Sequence, residues 1–156
     1  MIKNELDISI RAVNKTDWLY FAMNSEDGLD NDPFYKTALG TLQKVSNTIN
    51  AENSEIERCY VAESNSNILG FIYGYILPDE MLIPEFVYVK PNYRKNGIAK
   101  DLLFTLEKES KCNLSIIYYH KTLREHYCKL GYAVGDNLEV AMKKLKGDIP
   151  DGQDEI

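Results

Sequence analysis

Apolar positions along this 156-residue chain switch between two spacings, and the switches mark where strands and helices should lie. Ile8-Ser9-Ile10-Arg11-Ala12-Val13 repeats every second residue and predicts a first strand. Thr16 can cap a following helix, with Asp17 in its first turn and Trp18, Leu19, Ala22 and Met23 on its buried side. After a polar loop, Asp32-Pro33 predicts a restart, with aspartate as N-cap and proline at the first helical position. Phe34, Ala38, Leu42, Val45 and Ile49 then recur at helical spacing to about Asn50, across a Gly40 that costs the helix about 1 kcal/mol. Residues 58–64 and 68–77 read as two strands joined by Asn65-Ser66-Asn67.

Pro78-Asp79-Glu80 turns the chain into Met81 and a third strand of this group. Its core, Glu85-Phe86-Val87-Tyr88-Val89, is aromatic and β-branched. Pro84 has no N–H for the ladder, so a bulge, broken pairing or a free edge is expected there. Pro91-Asn92-Tyr93 ends the strand, and a helix follows with Ile98, Leu102, Leu103 and Leu106 on one face. Residues 114–119 predict a short apolar strand, and 120–130 a helix stopped by Gly131 as its C′ residue. Residues 138–146 predict a last strand, with Val140 and Met142 on one face. Pattern alone gives a mixed α/β domain over 1–146, followed by an acidic tail, 147–156, expected to be disordered.

The turn before the third helix carries candidate chemistry. A helix start exposes N–H groups and about half a positive charge. Gly97 and Ala99 would let a phosphate come close, and Arg94, Lys95 and Lys100 add charge. Those features alone also fit an ordinary strand-to-helix connection with solvated basic residues. Neither G-x-x-x-x-G-K-[ST] nor G-x-G-x-x-G is present.

The longer string V-x-P-x-Y-R-x-x-G-I-A, followed by an amphipathic helix, resembles motif A of the GNAT superfamily of acyl-CoA-dependent N-acetyltransferases. Arg94, Gly97 and Ala99 match its R/Q-x-x-G-x-G/A signature. Tyr127-Cys128-Lys129-Leu130-Gly131-Tyr132 resembles the family's Y-x-K-L-G-F/Y segment. The resemblance covers roughly residues 6–146 and implies an α/β (α+β) fold. Its centre is a mixed, mostly antiparallel sheet of six to seven strands flanked by about four helices, splayed between strands 4 and 5. It also implies that backbone N–H groups of Lys95, Asn96, Gly97, Ile98, Ala99 and Lys100 hold the pyrophosphate of acetyl-CoA. A strand N–H near Tyr88 or Val89 would polarise the thioester carbonyl.

Two residues carry the implied chemistry. Glu85 is the candidate base for the ammonium proton, expected to be strengthened by apolar neighbours. Tyr127 is the candidate acid beside the departing sulfur. Their plain alternatives are a solvated strand-end carboxylate and an aromatic that packs its helix. The family's usual asparagine and alanine before this tyrosine are His120 and Leu123 here, so His120 either substitutes in holding the cofactor or that contact is missing. The implied acceptor cavity is bounded by Glu26, Asp27, Asp30 and Asp32 and by Asp79 and Glu80, which would suit a cationic small molecule such as a polyamine or aminoglycoside, or a protein or peptide amine.

Charge and cysteines narrow the picture. A net charge of −6 argues against nucleic acid as a main partner, and so against a toxin-like enzyme acting on aminoacyl-tRNA. No apolar run is long enough to span a bilayer, and no signal peptide is expected. Cys59, Cys112 and Cys128 lack disulfide or zinc spacing, which points to a cytoplasmic protein without a bound metal. A catalytically silent acyl-CoA sensor and a homodimer paired through its last strands both stay compatible with the sequence.

Overall fold

A computed structural model describes residues 7–23, 29–49, 55–135 and 139–146. Strand β1 (Ser9–Ala12) leads to helices α1 (Asp17–Met23) and α2 (Tyr35–Thr48). The strands β2 (Glu57–Ser64), β3 (Asn67–Leu77) and β4 (Met81–Val89) follow as an antiparallel meander. Next come α3 (Ile98–Ser110), β5 (Leu114–Tyr118), α4 (Arg124–Lys129), β6 (Ala133–Val134) and β7 (Val140–Lys144). These make one seven-stranded sheet in the order β1-β2-β3-β4-β5-β7-β6. Within it β4 and β5 run parallel and the other neighbours antiparallel. The two-residue β6 is the strand the sequence pattern did not mark.

Local chemistry accounts for most element ends. Asn65 and Ser66 have φ of 50° and 67°, the left-handed pair that a two-residue hairpin between right-twisted strands requires. Pro84 does break the β3–β4 register, which slips between Tyr73 and Gly74. Because Tyr73 faces Phe86 and Gly74 faces Pro84, Glu85 is the extra residue of a β-bulge.

The core forms two clusters, one on each face of the sheet. Leu102, Leu103 and Leu106 of α3 pack with Leu82 and Ile72, while Leu42 of α2 and Phe21 of α1 pack with Phe71 and Tyr88. Two expectations fail here. The buried side of α1 is Asp17 and Phe21, whereas Leu19 and Met23 are exposed. The cause is the Arg11 guanidinium, which grips Asp17 at 2.8 and 2.9 Å and turns that face inward. Helix α2 starts at Tyr35 rather than Pro33, and its N-cap position, Phe34, has no side-chain cap and is exposed. Asp32 still accepts from the Phe34 N–H at the helix start and has further partners, described below. On β7 Val140 and Met142 share a face as expected, and Ala141 on the opposite face is the buried residue.

One polar network pins the second half of the chain. Glu107 of α3 accepts from the Tyr132 hydroxyl at 2.6 Å and from Lys143 of β7 at 2.8 Å. Ser115 of β5 meets the same hydroxyl at 2.8 Å, and Lys143 also donates to the Leu130 carbonyl at 2.9 Å. Burial and then Glu107 push the Tyr132 phenol up, so it remains a protonated donor. Glu107→Gln leaves the Lys143 ammonium without its counter-charge, and unfolding in denaturant should show a loss of about 2 kcal/mol.

Candidate functional site

The site begins with what β4 leaves unpaired. Only Met81–Leu114 and Leu82–Ser115 join β4 to β5, so the two strands part beyond residue 82. The Lys90 N–H donates to Leu69 of β3 at 2.8 Å. Backbone groups alternate along a strand, so the N–H groups of Tyr88 and Phe86 also face β3, and those of Val87 and Val89 face the gap. Of Tyr88 and Val89, the two residues the expectation named, only Val89 turns its N–H to the gap, as Val87 does.

At the gap's mouth the chain makes a short 3-10 turn, Pro91–Tyr93, and then α3. Lys95 and Gly97 both have left-handed backbones, with φ of 67° and 81°. Gly97 is the N-cap of α3 and no side chain caps the helix. The Asp101 N–H bonds back to Gly97, so the N–H groups of Ile98, Ala99 and Lys100 are the orphans of the first turn. Lys95 and Lys100 are exposed beside them. An uncapped helix start with small residues and two free-standing cations fits a diphosphate. Asn96 lies in the same turn and braces it, donating to the carbonyls of Tyr93 and Arg94 at 3.2 and 3.3 Å.

Arg94 turns back onto β4. Its Nε donates to the Val89 carbonyl at 2.6 Å, its Nη2 reaches Asp32 at 3.3 Å, and the guanidinium lies over the Tyr88 ring at 5.2 Å. Asp32 also accepts from the Tyr88 hydroxyl at 2.7 Å. That hydroxyl, ahead of Arg94, holds the Asp32 carboxyl below its usual range. The contact is thus complete at neutral pH and is lost only as pH falls through the depressed value. The carboxylate also accepts from the Phe34 N–H, so Asp32 ties the start of α2 to β4 and the Gly97 turn.

Three cavities meet along β4. A slot of about 70 Å³ lies in the gap, lined by Glu85, Val87, Ala99, Lys100, Ile117 and Tyr127 among others. Beside it, about 390 Å³ of open groove runs past Phe34, Val87, Val89, Arg94 and Ala99. On the other face of the sheet, about 290 Å³ lies between α2 and the strands, lined by Thr41, Lys44, Glu57, Tyr73, Glu85 and Phe86. Glu85 and Phe86 line both the slot and this last cavity. The bulge explains it, because an extra residue is re-aimed out of the pleat and can reach both faces.

Tyr127 is held by the end of α4. Gly131 has φ 97°, its N–H donates to Cys128 and the Tyr132 N–H donates to Tyr127. That is a Schellman C-cap, with Tyr127 and Tyr132 as its packed pair, ring centroids 6.0 Å apart. Tyr119 and His126 flank Tyr127 at 5.7 and 5.0 Å. Burial pushes its phenol up. Among the described residues its hydroxyl has no hydrogen-bond partner.

Other expected site residues lie elsewhere or differ. Glu85 is exposed, so the expected burial among Phe86 and Tyr88 is not found. His120 does not line the slot; it caps the Lys121–Leu123 turn, its Nδ1 accepting from the Thr122 N–H at 3.2 Å. The helix expected from 120 accordingly splits into this turn and α4. Asp79 and Glu80 sit at the β3–β4 turn, at the closed end of the β4–β5 pair, where Glu80 faces Lys146 at 3.7 Å. They line none of the three cavities. Glu26 and Asp27 lie outside the described residues, as does the side chain of Asp30. Glu57 and Tyr73 were missed, although Glu57 is in phase with the buried Cys59 and Val61 along β2. A carboxylate on that phase is the signal that could have found it.

The Acetyltransferase (GNAT) domain model matches residues 55–134, just over half of the chain, and takes in β4, the Gly97 turn and Tyr127. The chain belongs to the GNAT acetyltransferase family. Solved structures of the same fold span nearly all of this GNAT domain. A PaiA N-acetyltransferase from Thermoplasma acidophilum, in complex with coenzyme A, is 19% identical with TM-score 0.67, over 89% of this chain and 99% of that one. A GNAT family N-acetyltransferase from Escherichia coli, also with CoA, is 14% identical with TM-score 0.63, covering 90% and 83%. An aminoglycoside N-acetyltransferase with CoA is 15% identical with TM-score 0.64, covering 88% and 95%. No curated protein matches the chain significantly.

Proposed function

We propose that this GNAT domain moves an acetyl group from acetyl-CoA to a primary amine by direct attack in a ternary complex, the acceptor being a cationic small molecule or a peptide amine. The observation that carries this reading is Glu85, which lines both the gap slot and the cavity against α2. A cofactor in the gap and an amine in the α2 cavity would meet at that residue. Acetyl-CoA supplies the acyl group as a thioester open to attack by an amine.

The chain's own residues divide the remaining work. Glu85 takes the proton of an ammonium whose ordinary pKa is about 10.4, directly or through one water. One of the Val87 and Val89 N–H groups, which lie about 7 Å apart along the strand, donates to the oxygen on which charge develops, and no neighbouring strand competes for it. The Gly97 turn, Lys95 and Lys100 hold negative charge. Tyr127, raised by burial, stays neutral and donates a hydrogen bond to the departing sulfur. Full proton transfer from a phenol near 10 to a thiolate near 8.5 is uphill by about 2 kcal/mol, so hydrogen bonding is its stronger contribution. Tyr127→Phe should lower kcat about 30-fold and move the KM for acetyl-CoA little, which steady-state kinetics would check.

Thiol release from acetyl-CoA against a panel of mono- and polycationic amines, with products identified by mass, tests the function. Tight acetyl-CoA binding with no turnover on any amine would favour a silent sensor instead. Rates equal for cationic and neutral amines at all salt concentrations would remove the cationic acceptor.

A further inference from the structure

We infer that Glu57, oriented by Tyr73, reads a second positive charge on the acceptor, away from the nitrogen that reacts. The inference rests on the amine-transfer reading above and adds a determinant of which amine is taken. The cavity against α2 has the reacting end at Glu85 and Phe86, and Glu57 at its far side. Strand β3 separates the two, since β2 and β4 flank it. Two interstrand spacings put their backbones about 10 Å apart.

Glu57 is built as a receptor rather than as a solvated end. It is half-buried, and its Oε1 accepts from the Tyr73 hydroxyl at 2.8 Å, which fixes the carboxylate across β3. Burial, then the bond to Glu57, then the charge of Glu85 push the Tyr73 phenol up, so it stays a donor. That leaves the other carboxylate oxygen of Glu57 available to the cavity. Lys44 lies on the rim, exposed, and Thr48 is turned onto its own helix, bonding the Lys44 carbonyl at 3.1 Å. The Lys44 ammonium is solvated and screened at the rim, so the two carboxylates are the charges that an occupant of the cavity meets. An acceptor with a single cation leaves one carboxylate unmatched, whereas a compact linear dication of about 6 to 10 Å between charges, within the backbone spacing, matches both.

The test compares straight-chain monoamines with α,ω-diamines of equal and increasing length. In the wild type kcat/KM should favour the diamines, with an optimum in length. Glu57→Gln should reduce that diamine-over-monoamine ratio about tenfold or more, mainly through KM, because a charge-assisted hydrogen bond is lost. Tyr73→Phe should reduce it less, with the fold checked by thermal melting. Lys44→Gln should shift the ratio the other way. Calorimetric binding of the diamines without acetyl-CoA gives a second readout that needs no turnover, and Glu57→Gln should weaken it alike. If Glu57→Gln lowers mono- and diamine kinetics equally, or leaves diamine binding unchanged, the inference is overturned. Absence of acetyl transfer to every amine would overturn the reaction instead, while the binding comparison still decides the role of Glu57.

Discussion

Glu85→Gln should lower kcat/KM for the amine by about 10²- to 10⁴-fold near neutral pH, the range for removing a positioned general base. The loss should shrink as pH rises. Without the carboxylate only the free amine reacts, and its fraction climbs about tenfold per pH unit until the amine pKa near 10.4. The wild type accepts the proton itself and should climb less steeply. Plotted from about pH 6 to about pH 10, the two profiles should converge. Parallel profiles, or a loss below about threefold, would remove Glu85 as base. Its exposure is compatible with the role, since filling the two cavities it lines would take the carboxylate out of water.

The other large effect belongs to the phosphate turn. Gly97 has φ 81°, where a side chain meets its own backbone at a cost of about 1–2 kcal/mol, and a β-branched one fares worst. Gly97→Val should also put two methyl groups where an anion would approach the first N–H groups of α3. Together these should weaken coenzyme A about hundredfold, or about 2.7 kcal/mol, in calorimetric titration. Gly97→Ala should lose less, because it shares the backbone cost but presents less bulk. A folded valine variant with unaltered affinity would mean that the diphosphate is held elsewhere.

How much of this could be read in the sequence depends on how local each determinant is. The helix face Ile98, Leu102, Leu103, Leu106 and the Gly131 cap are set within one or two turns, and both were legible. Pro84 announced a bulge because a missing N–H is a property of one residue. The start of α2 was misread for the opposite reason. Asp32 does take the Phe34 N–H locally, but a tyrosine and an arginine some 60 positions away share its carboxylate, and regular helix begins only at Tyr35. The inward turn of α1 likewise depends on Arg11, a residue of the preceding strand. At the site, motif residues marked the gap beside β4 and the uncapped start of α3. The cavity against α2 needed the pairing of β2 with β3 and of β3 with β4 before Glu57 and Glu85 could be seen to share it.

The short β4–β5 ladder divides the sheet into two leaves, β1 to β4 and β5 with β7 and β6. At one end they are laced by two residue pairs and by the Asn113 N–H on the Glu80 carbonyl. At the other they stand apart, with Glu85 on the first leaf and Tyr127 riding with the second. The spacing between Glu85 and Tyr127, the two residues proposed to act on the reactants, is therefore not fixed by a backbone ladder at that end. It is held by α3, whose apolar face packs on both leaves like the spine of an open book.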